Sequence, residues 1–329
     1  MKLENTILNK HAWGNTTLQD FLDALVQGWQ SNPNLDNIDI EGFWYDFLNT
    51  KGINTLKLKM KDTPEGINVD LKQHQGSRSD ALIMQKWDLL IMKERDIFAN
   101  DLICDVKWVE ESDFEFSTIS VMLNCSEDVQ TIVIPEKSTS DTFILGNADD
   151  QAYIQFILND NLVNALSRGL LGIIPKSINR IIIWRSLISM VSKLMIKSTT
   201  FFNIIIENVV KEDDIILLNT IFPTIRSCAN CYIPNEMYFD ICQQMFERLY
   251  NKVISIPKEK EDLIDVFKSS LLSYLVNDEH IKLAATWLEN GCITLRDGEK
   301  REDLYLKFID QSYILARVCE SEIIDISAK

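Results

Sequence analysis

Histidine and glycine are scarce in this chain of 329 residues, which contains 3 His and 11 Gly. None of the histidines, His11, His74 and His280, is followed by Glu or has a second His at helical spacing, so the His-Glu-x-x-His pair of a zinc peptidase is missing. The glycines form no Gly-x-x-x-x-Gly-Lys phosphate loop, no Gly-x-Gly-x-x-Gly turn and no Gly-x-Ser-x-Gly nucleophile elbow. The sequence therefore predicts no catalytic residue and no metal ligand, and it gives no support to the common motif-bearing enzyme classes.

Basic residues are also in the minority, with 33 Lys and Arg against 49 Asp and Glu, which gives a formal charge of −16. This charge repels phosphate backbones and anionic lipids, so we expect neither nucleic acid nor a membrane surface as a partner. The 7 cysteines are an odd number, and the N-terminus has no secretory signal, so we expect reduced thiols in the cytoplasm or another reducing compartment. The most apolar stretch, residues 173–196, carries too many charges to span a membrane.

Residues 1–52 carry apolar side chains at helical spacing, which predicts two amphipathic helices. The apolar set is richer in aromatic rings than a solvated helix pair needs. We therefore expect it to pack on the rest of the chain or to form an interface with another polypeptide. The members of this candidate interface are Leu18, Phe21, Leu22, Leu25, Trp29, Phe43, Trp44 and Phe47.

The hydrophobic period changes twice along the chain, and these changes predict a mixed fold of three parts. Residues 53–158 alternate between apolar and polar side chains, which predicts about seven short strands in an antiparallel β-sandwich. Residues 159–329 return to the helical period, with short breaks at prolines, which predicts an α-helical stack of the HEAT or armadillo type. The predicted helices span residues 161–172, 177–195, 199–211, 213–222, 235–252, 260–276, 279–290 and 302–323.

Only a few side chains outside these patterns could carry chemistry. Cys228 and Cys231 have the spacing of a zinc or redox pair, but a second pair is missing, so two half-buried thiols are the favoured interpretation. The adjacent acidic residues 149 and 150 lack calcium-loop spacing and are expected to be solvated. Arg180 and Arg185 interrupt an apolar helix, where structural ion pairs are favoured over an anionic ligand.

Several segments of the sequence resemble one family. Residues 11–21, His-Ala-Trp-Gly-Asn-Thr-Thr-Leu-Gln-Asp-Phe, resemble the stretch that follows the active site in aminopeptidase N-like zinc aminopeptidases of the gluzincin class. Residues 43–54 are similar to the Trp-containing helix that leads into the third domain of this family. Together these matches place the N-terminal helices at the end of a catalytic domain.

Two further segments continue the resemblance. Residues 145–153 are similar to the family's Pro-Asn-x-x-Asp-x-x-Tyr entrance to the helical domain, with Gly146 in place of the usual Pro. Residues 178–190 are similar to its Arg-x-x-x-Trp-x-x-Leu-x-x-Met helix, and residues 284–288 match later helices more loosely. The resemblance implies the end of the catalytic domain at 1–52, the third domain at 53–158 and the fourth at 159–329.

The resemblance also implies what the chain does not hold. In this family the zinc ligands and the other catalytic residues lie N-terminal to every segment matched here, so none can be transferred to a position of this chain. The zinc ion would be held by the missing catalytic portion, and a peptide substrate would bind only to a complete enzyme. In the family, the helical domain closes over the catalytic cavity.

Two interpretations of function follow, and a third is kept beside them. The chain completes a metallo-aminopeptidase whose catalytic half is a separate chain, or it is an inactive aminopeptidase-like scaffold that binds other subunits of a larger assembly. An independent thiol or zinc module built on Cys228 and Cys231 is the third. The identity of the protein that co-purifies with the chain discriminates between the first two, and metal content tests the third.

Overall fold

The fold was derived from a computed structural model, which describes residues 9–30, 42, 48, 52–74, 85–94, 114–123, 129–134 and 142–321. These residues form both helices and sheets, so the predicted mixed class is confirmed. The helices are α1 (Leu18–Gln30), α2 (Asp160–Ser167), α3 (Ser177–Ser192), α4 (Ser198–Asn208), α5 (Ile215–Tyr232), α6 (Asn235–Ser255), α7 (Glu261–Leu272), α8 (Asp278–Asn290) and α9 (Phe308–Glu320). Two short 3₁₀ turns, Leu170–Ile173 and Val209–Lys211, follow α2 and α4.

The strands form two larger sheets and one hairpin. One sheet has the order β5-β2-β1-β7, the second has the order β4-β3-β6, and β8 pairs with β9. Among the described strands, all pairings are antiparallel except that of β1 with β7. This pairing is parallel and corrects the expectation of a purely antiparallel arrangement. The strands are β1 (Asn54–Thr63), β2 (Gly66–His74), β3 (Gln85–Glu94), β4 (Phe114–Leu123), β5 (Gln130–Ile134), β6 (Thr142–Ala148), β7 (Ile154–Ile157), β8 (Cys292–Thr294) and β9 (Lys300–Tyr305).

Alternation and capping explain where the main elements form. In β1, Leu56 and Leu58 are buried whereas Lys57 and Lys59 are exposed, as the period of two requires. The change from strand to helix occurs at Asn159, whose side-chain oxygen accepts a hydrogen bond from the backbone N–H of Leu162 at 2.8 Å. Buried side chains of both larger sheets and of α2 to α9 form one continuous core.

The C-terminal region contains strands that the sequence does not predict. Residues 292–305 form the hairpin β8–β9, so a purely helical region at 159–329 and a helix beginning at 302 are both wrong. Gly291 ends α8 with a positive φ of 71°, and Gly298 has a φ of 92° in the turn that connects the two strands. An Asp-Gly pair is a typical hairpin turn, and here Asp297 precedes Gly298.

Helix α5 is longer than the sequence predicts, because it continues through Pro223 to Tyr232. A proline in a helix removes one backbone hydrogen bond and usually ends the helix before it. The side chain of Pro223 is exposed, but Ile221, Phe222 and Ile225 around it are buried. Burial of the neighbouring side chains thus outweighs the cost of the proline.

We predict that Pro223→Ala raises the free energy of unfolding by about 2 kcal/mol. Proline costs about 3 kcal/mol relative to alanine inside a helix, and its restriction of the unfolded chain returns up to about 1 kcal/mol of that. Urea denaturation of both proteins measures the difference. A less stable variant would mean that the fold depends on the proline itself.

Candidate functional site

A groove lies where the connection between β6 and β7 faces α3. It has a volume of about 460 Å³, and we call it the β6–β7 groove. Tyr153 and Gln155 line it from the connection and β7, and Arg185, Ser186 and Ser189 line it from α3. The groove therefore combines a largely exposed aromatic ring with hydroxyl, amide and guanidinium groups.

The β6–β7 connection adopts an unusual backbone that its polar residues support. Asn147, Asp149 and Asp150 all have positive φ angles, of 57°, 61° and 52°. Asn and Asp tolerate this region better than other residues with side chains. The Asn147 amide also donates to the carbonyl of Ala152 at 3.0 Å and accepts from its N–H at 2.8 Å, which closes the loop on itself.

Helix α3 and the residue before it hold this loop from the other side. The backbone N–H of Asp149 donates to the side-chain oxygen of Asn179 at 2.7 Å, and Lys176 forms an ion pair with Asp149 at 2.6 Å. Arg185 forms an ion pair with Asp150 at 3.3 Å. The two aspartates, expected to be solvated, are thus partners of basic residues, and Arg185 forms the structural ion pair that the sequence predicts.

These contacts bring together two of the segments on which the family resemblance rests. Residues 145–153 supply β6 and its loop, and residues 178–190 supply α3. Within α3, Trp184, Leu187 and Met190 are buried, while Arg185 points to the loop. Segments that are separate in the sequence therefore form one junction between the sheets and the helices.

Gly146 occupies a position in β6 where a side chain has no room. A Cβ at this position would lie 2.6 Å from the ring of Phe156, which is itself buried in β7. The close approach of Phe156 therefore explains why glycine occupies this position.

We predict that Gly146→Ala lowers the free energy of unfolding by about 1–3 kcal/mol, the usual cost of overpacking. The matched test is the double variant Gly146→Ala with Phe156→Leu, in which the smaller side chain makes room for the new methyl group. Thermal unfolding of the single and double variants measures this coupling. Purely additive effects would contradict a clash between these two positions.

Arg180 forms the most buried ion pair of this region, with Glu212. The guanidinium donates to the carboxylate from Nε at 2.9 Å and from Nη2 at 2.7 Å, and Nη1 donates to the carbonyls of Ile174 and Pro175. Burial alone would lower the pKa of Arg180, but the bonds to Glu212 raise it above its ordinary value. This is the structural ion pair that the sequence favours for Arg180, and it uses four of the five N–H donors of the guanidinium.

The thiol pair has none of the features of a reactive site. Cys228 is buried in α5, Cys231 is exposed, and burial raises the pKa of the Cys228 thiol above its ordinary value. Among the described residues, no group of three or more His, Cys, Asp or Glu side chains could hold a metal ion. The geometry gives the thiol or zinc module no support.

The candidate interface of the N-terminal helices is described only in part. On α1, Leu22 is buried, Phe21 and Leu25 are partly buried, and Leu18 is 57% exposed. The side chain of Trp29 and the residues Phe43, Trp44 and Phe47 lie outside the described part of the chain. Among the described residues of the candidate interface, Leu18 therefore has the most exposed side chain.

The sequence analysis did not identify a stack of aromatic rings around His280. The imidazole lies 3.8 Å from the ring of Phe246, centroid to centroid, and Tyr250 and Trp287 continue the stack. One ring nitrogen, Nε2, is 3.1 Å from the carboxylate of Glu247, whereas Nδ1 has no hydrogen-bond partner in the described part of the chain. Phe246 and Tyr250 share one face of α6, and His280 and Trp287 share one face of α8, but the sequence does not show that these two faces meet.

We predict that acidification destabilises the fold through His280. Burial lowers the pKa of His280 below 6.5 despite the opposing effect of Glu247, so the unfolded chain takes up the proton first. Stability is then lost as the pH falls from about 6.5 towards the folded-state pKa, by up to about 1.4 kcal/mol for each pH unit between the two values. Thermal unfolding at several pH values checks this, with His280→Gln as the control that lacks this part of the pH dependence.

No described helix combines the length and the apolar character needed to cross a membrane. Comparison with known proteins gave no match to a protein-family model or to a curated protein. The assignment of a function therefore depends on the residues and contacts described above.

Proposed function

We propose that this chain is the C-terminal, non-catalytic portion of a zinc-dependent aminopeptidase of the aminopeptidase N-like class. In this role it supports and caps a catalytic domain that releases N-terminal residues from peptides. The observation that carries the proposal is the junction of the two family-like segments, in which Arg185 contacts Asp150 and Asn179 contacts Asp149. Chance similarity of two separate segments gives no reason for them to meet.

The order of elements adds support. In the described part of the chain, a helix precedes seven strands in two sheets, and a region of helices that contains the β8–β9 hairpin follows. We propose that the two sheets form the β-sandwich third domain at 53–158 and that α2 to α9 form the HEAT-like fourth domain at 159–329. The N-terminal helices would then be the last helices of the catalytic domain.

A cap needs a rigid connection to the domain that it covers, and the junction offers one. Lys176, Asn179 and Arg185 all bind the β6–β7 connection from the side of α3. Their contacts link the start of α3 to both aspartates of the loop, and so support a connection between the helical region and the sheets. The zinc ion and the catalytic residues belong, in this proposal, to the other portion of the enzyme.

The partner would cover α1. Leu18 exposes an apolar side chain on the same face as the partly buried Phe21 and Leu25. Burial of this surface would contribute about 25 cal/mol for each Å² of apolar area, before the entropy of association is subtracted.

One observation favours the alternative of an inactive scaffold subunit. Helix α9 exposes Phe308 and Ile309 in its first turn and Leu315 one to two turns later. An apolar outer face at α9 is typical of a surface that contacts other proteins, whether or not a catalytic half exists.

The test is to isolate the chain from its own cells with an affinity tag and to identify stoichiometric partners by mass spectrometry. We expect a partner with a His-Glu-x-x-His motif and a chelator-sensitive release of amino acids from aminoacyl-coumarin substrates. Partners of unrelated chemistry and no such activity would favour the scaffold.

Matched variants locate the interface. Leu18→Asp should reduce recovery of the catalytic partner, because it places a charge on the exposed face of α1. Ile216→Asp is the control, since Ile216 is also largely exposed but lies on α5. Equal loss with both variants would contradict an interface at α1.

A further inference from the structure

Leu194 has a strained backbone just after the end of α3. Its φ is 58°, in the left-handed region, and α3 ends with the N–H of Met195 bonded to the carbonyl of Met190 at 2.8 Å. This arrangement is the usual helix ending in which glycine occupies the left-handed position. A residue with a Cβ costs about 1–2 kcal/mol there.

The fold gains little from the leucine side chain in return. Leu194 is 84% exposed, and the next residue, Met195, is 42% exposed. A glycine at this position would relieve the strain and lose almost no buried surface. A strained residue that does not serve the fold points to a contact outside it.

The two exposed side chains form one wall of a groove. The groove has a volume of about 440 Å³, within the range of about 300–1,000 Å³ that is usual for ligand pockets. Val191 and Ile196 also line it, and Cys231 and Tyr232 at the end of α5 line it from the other side. We call it the α3–α5 groove, and its lining combines apolar side chains with polar groups.

The charge at this groove differs from that of the whole chain. Lys197 is exposed at its rim, and α4 begins at the next residue, Ser198. Helix α4 has no acidic residue in its first turn and no capping bond from the side chain before it, so its first N–H groups add a partial positive charge. Among the described residues that line the groove, none carries a carboxylate.

We propose that the α3–α5 groove binds a short segment of another polypeptide that carries apolar side chains next to a carboxylate. The apolar side chains would contact Leu194, Met195 and Tyr232. The carboxylate would lie near Lys197 and the first turn of α4. This site is separate from the β6–β7 groove and from α1, and it does not depend on the proposed function.

The experiment measures binding of a fluorescein-labelled peptide of leucine, phenylalanine, aspartate and glutamate to the isolated chain by fluorescence anisotropy. The comparison peptide replaces each acidic residue with lysine. We expect saturable binding of the acidic peptide and at least ~tenfold weaker binding of the basic one. No binding of the acidic peptide, or equal binding of both, would overturn the proposal.

Leu194→Gly separates binding from folding. We expect it to raise the melting temperature, because the strain is relieved, and to weaken binding at least ~tenfold, because the apolar wall is lost. Lys197→Glu should weaken binding and, because a carboxylate at the start of α4 is favourable, should not lower the melting temperature. Ile216→Ala, at an exposed position outside the groove, should change neither.

Three results would overturn the site. Leu194→Gly could lower the melting temperature, which would mean that the side chain serves the fold. The same variant could bind as well as the wild type, which would remove the leucine from the interface. Sedimentation velocity could show a dimer that the variant abolishes, which would make a second copy of this chain the occupant.

Discussion

Glu212→Ala is expected to lower the free energy of unfolding by about 3–5 kcal/mol, the usual effect of removing one partner of a buried ion pair. The Glu212 carboxylate is only 1% exposed and accepts two hydrogen bonds from Arg180. It also accepts the backbone N–H groups of Asp213 and Asp214, at 3.1 and 3.2 Å. The variant leaves these donors and the guanidinium without their acceptor. Urea denaturation provides the measurement.

The matched control is Glu207→Ala. Glu207 pairs with Arg248 at the same distance, 2.7 Å, but both side chains are largely exposed. Exposed ion pairs contribute about 0–1 kcal/mol, so the control should lie close to the wild type. A similar loss in both variants would show that burial does not set the cost.

Lys268→Ala should have an effect of similar size, about 3–5 kcal/mol, for a different reason. The Lys268 amine is almost fully buried, 3.1 Å from Asp310 and 3.2 Å from Asp265, and it donates to the carbonyl of Tyr305 at 2.9 Å. It therefore joins α7 to β9 and to the start of α9. Its loss removes the ion-pair partner of the buried Asp310 carboxylate.

Hydrogen exchange would show which elements lose amide protection in the Lys268→Ala variant. Asp310 also accepts the N–H of Lys307 at 2.9 Å and so caps α9, and we expect amides of α9 to lose protection first. Lys307→Ala is the control, because Lys307 also pairs with Asp265 but is about half exposed. Unchanged protection of α9 in the Lys268 variant would contradict the link.

The sequence predicts much of this fold because the hydrophobic period is a local property. Alternation identifies β1 and β2, and the return to the helical period at Asn159 coincides with the start of α2. The first strand of the β8–β9 hairpin has only three residues, which are too few to show an alternation of apolar and polar side chains in the sequence. Pro223 predicts an end of helix α5 that does not occur, because the packing that keeps α5 helical involves residues distant in the sequence.

The candidate sites are less predictable than the fold. Ion pairs for Arg180 and Arg185 follow from two charges in an apolar helix, but their partners, Glu212 and Asp150, are 32 and 35 residues away. Tertiary structure selects those partners. The strain at Leu194 has no sequence signature at all, because only the backbone of the folded chain shows that a leucine occupies a position suited to glycine.

The parallel pairing of β1 with β7 affects how the chain folds during synthesis. Asn54 pairs with Ile154, about 100 residues later, whereas β1 meets its other neighbour, β2, across a short turn. A ribosome adds about 5–20 residues per second, so the edge of β1 that pairs with β7 stays unpaired for about 5–20 s. Contacts of such long range also slow folding itself. Nascent chains that stop between β2 and β7 should therefore aggregate through this open edge, and chains that extend past Ile157 should not.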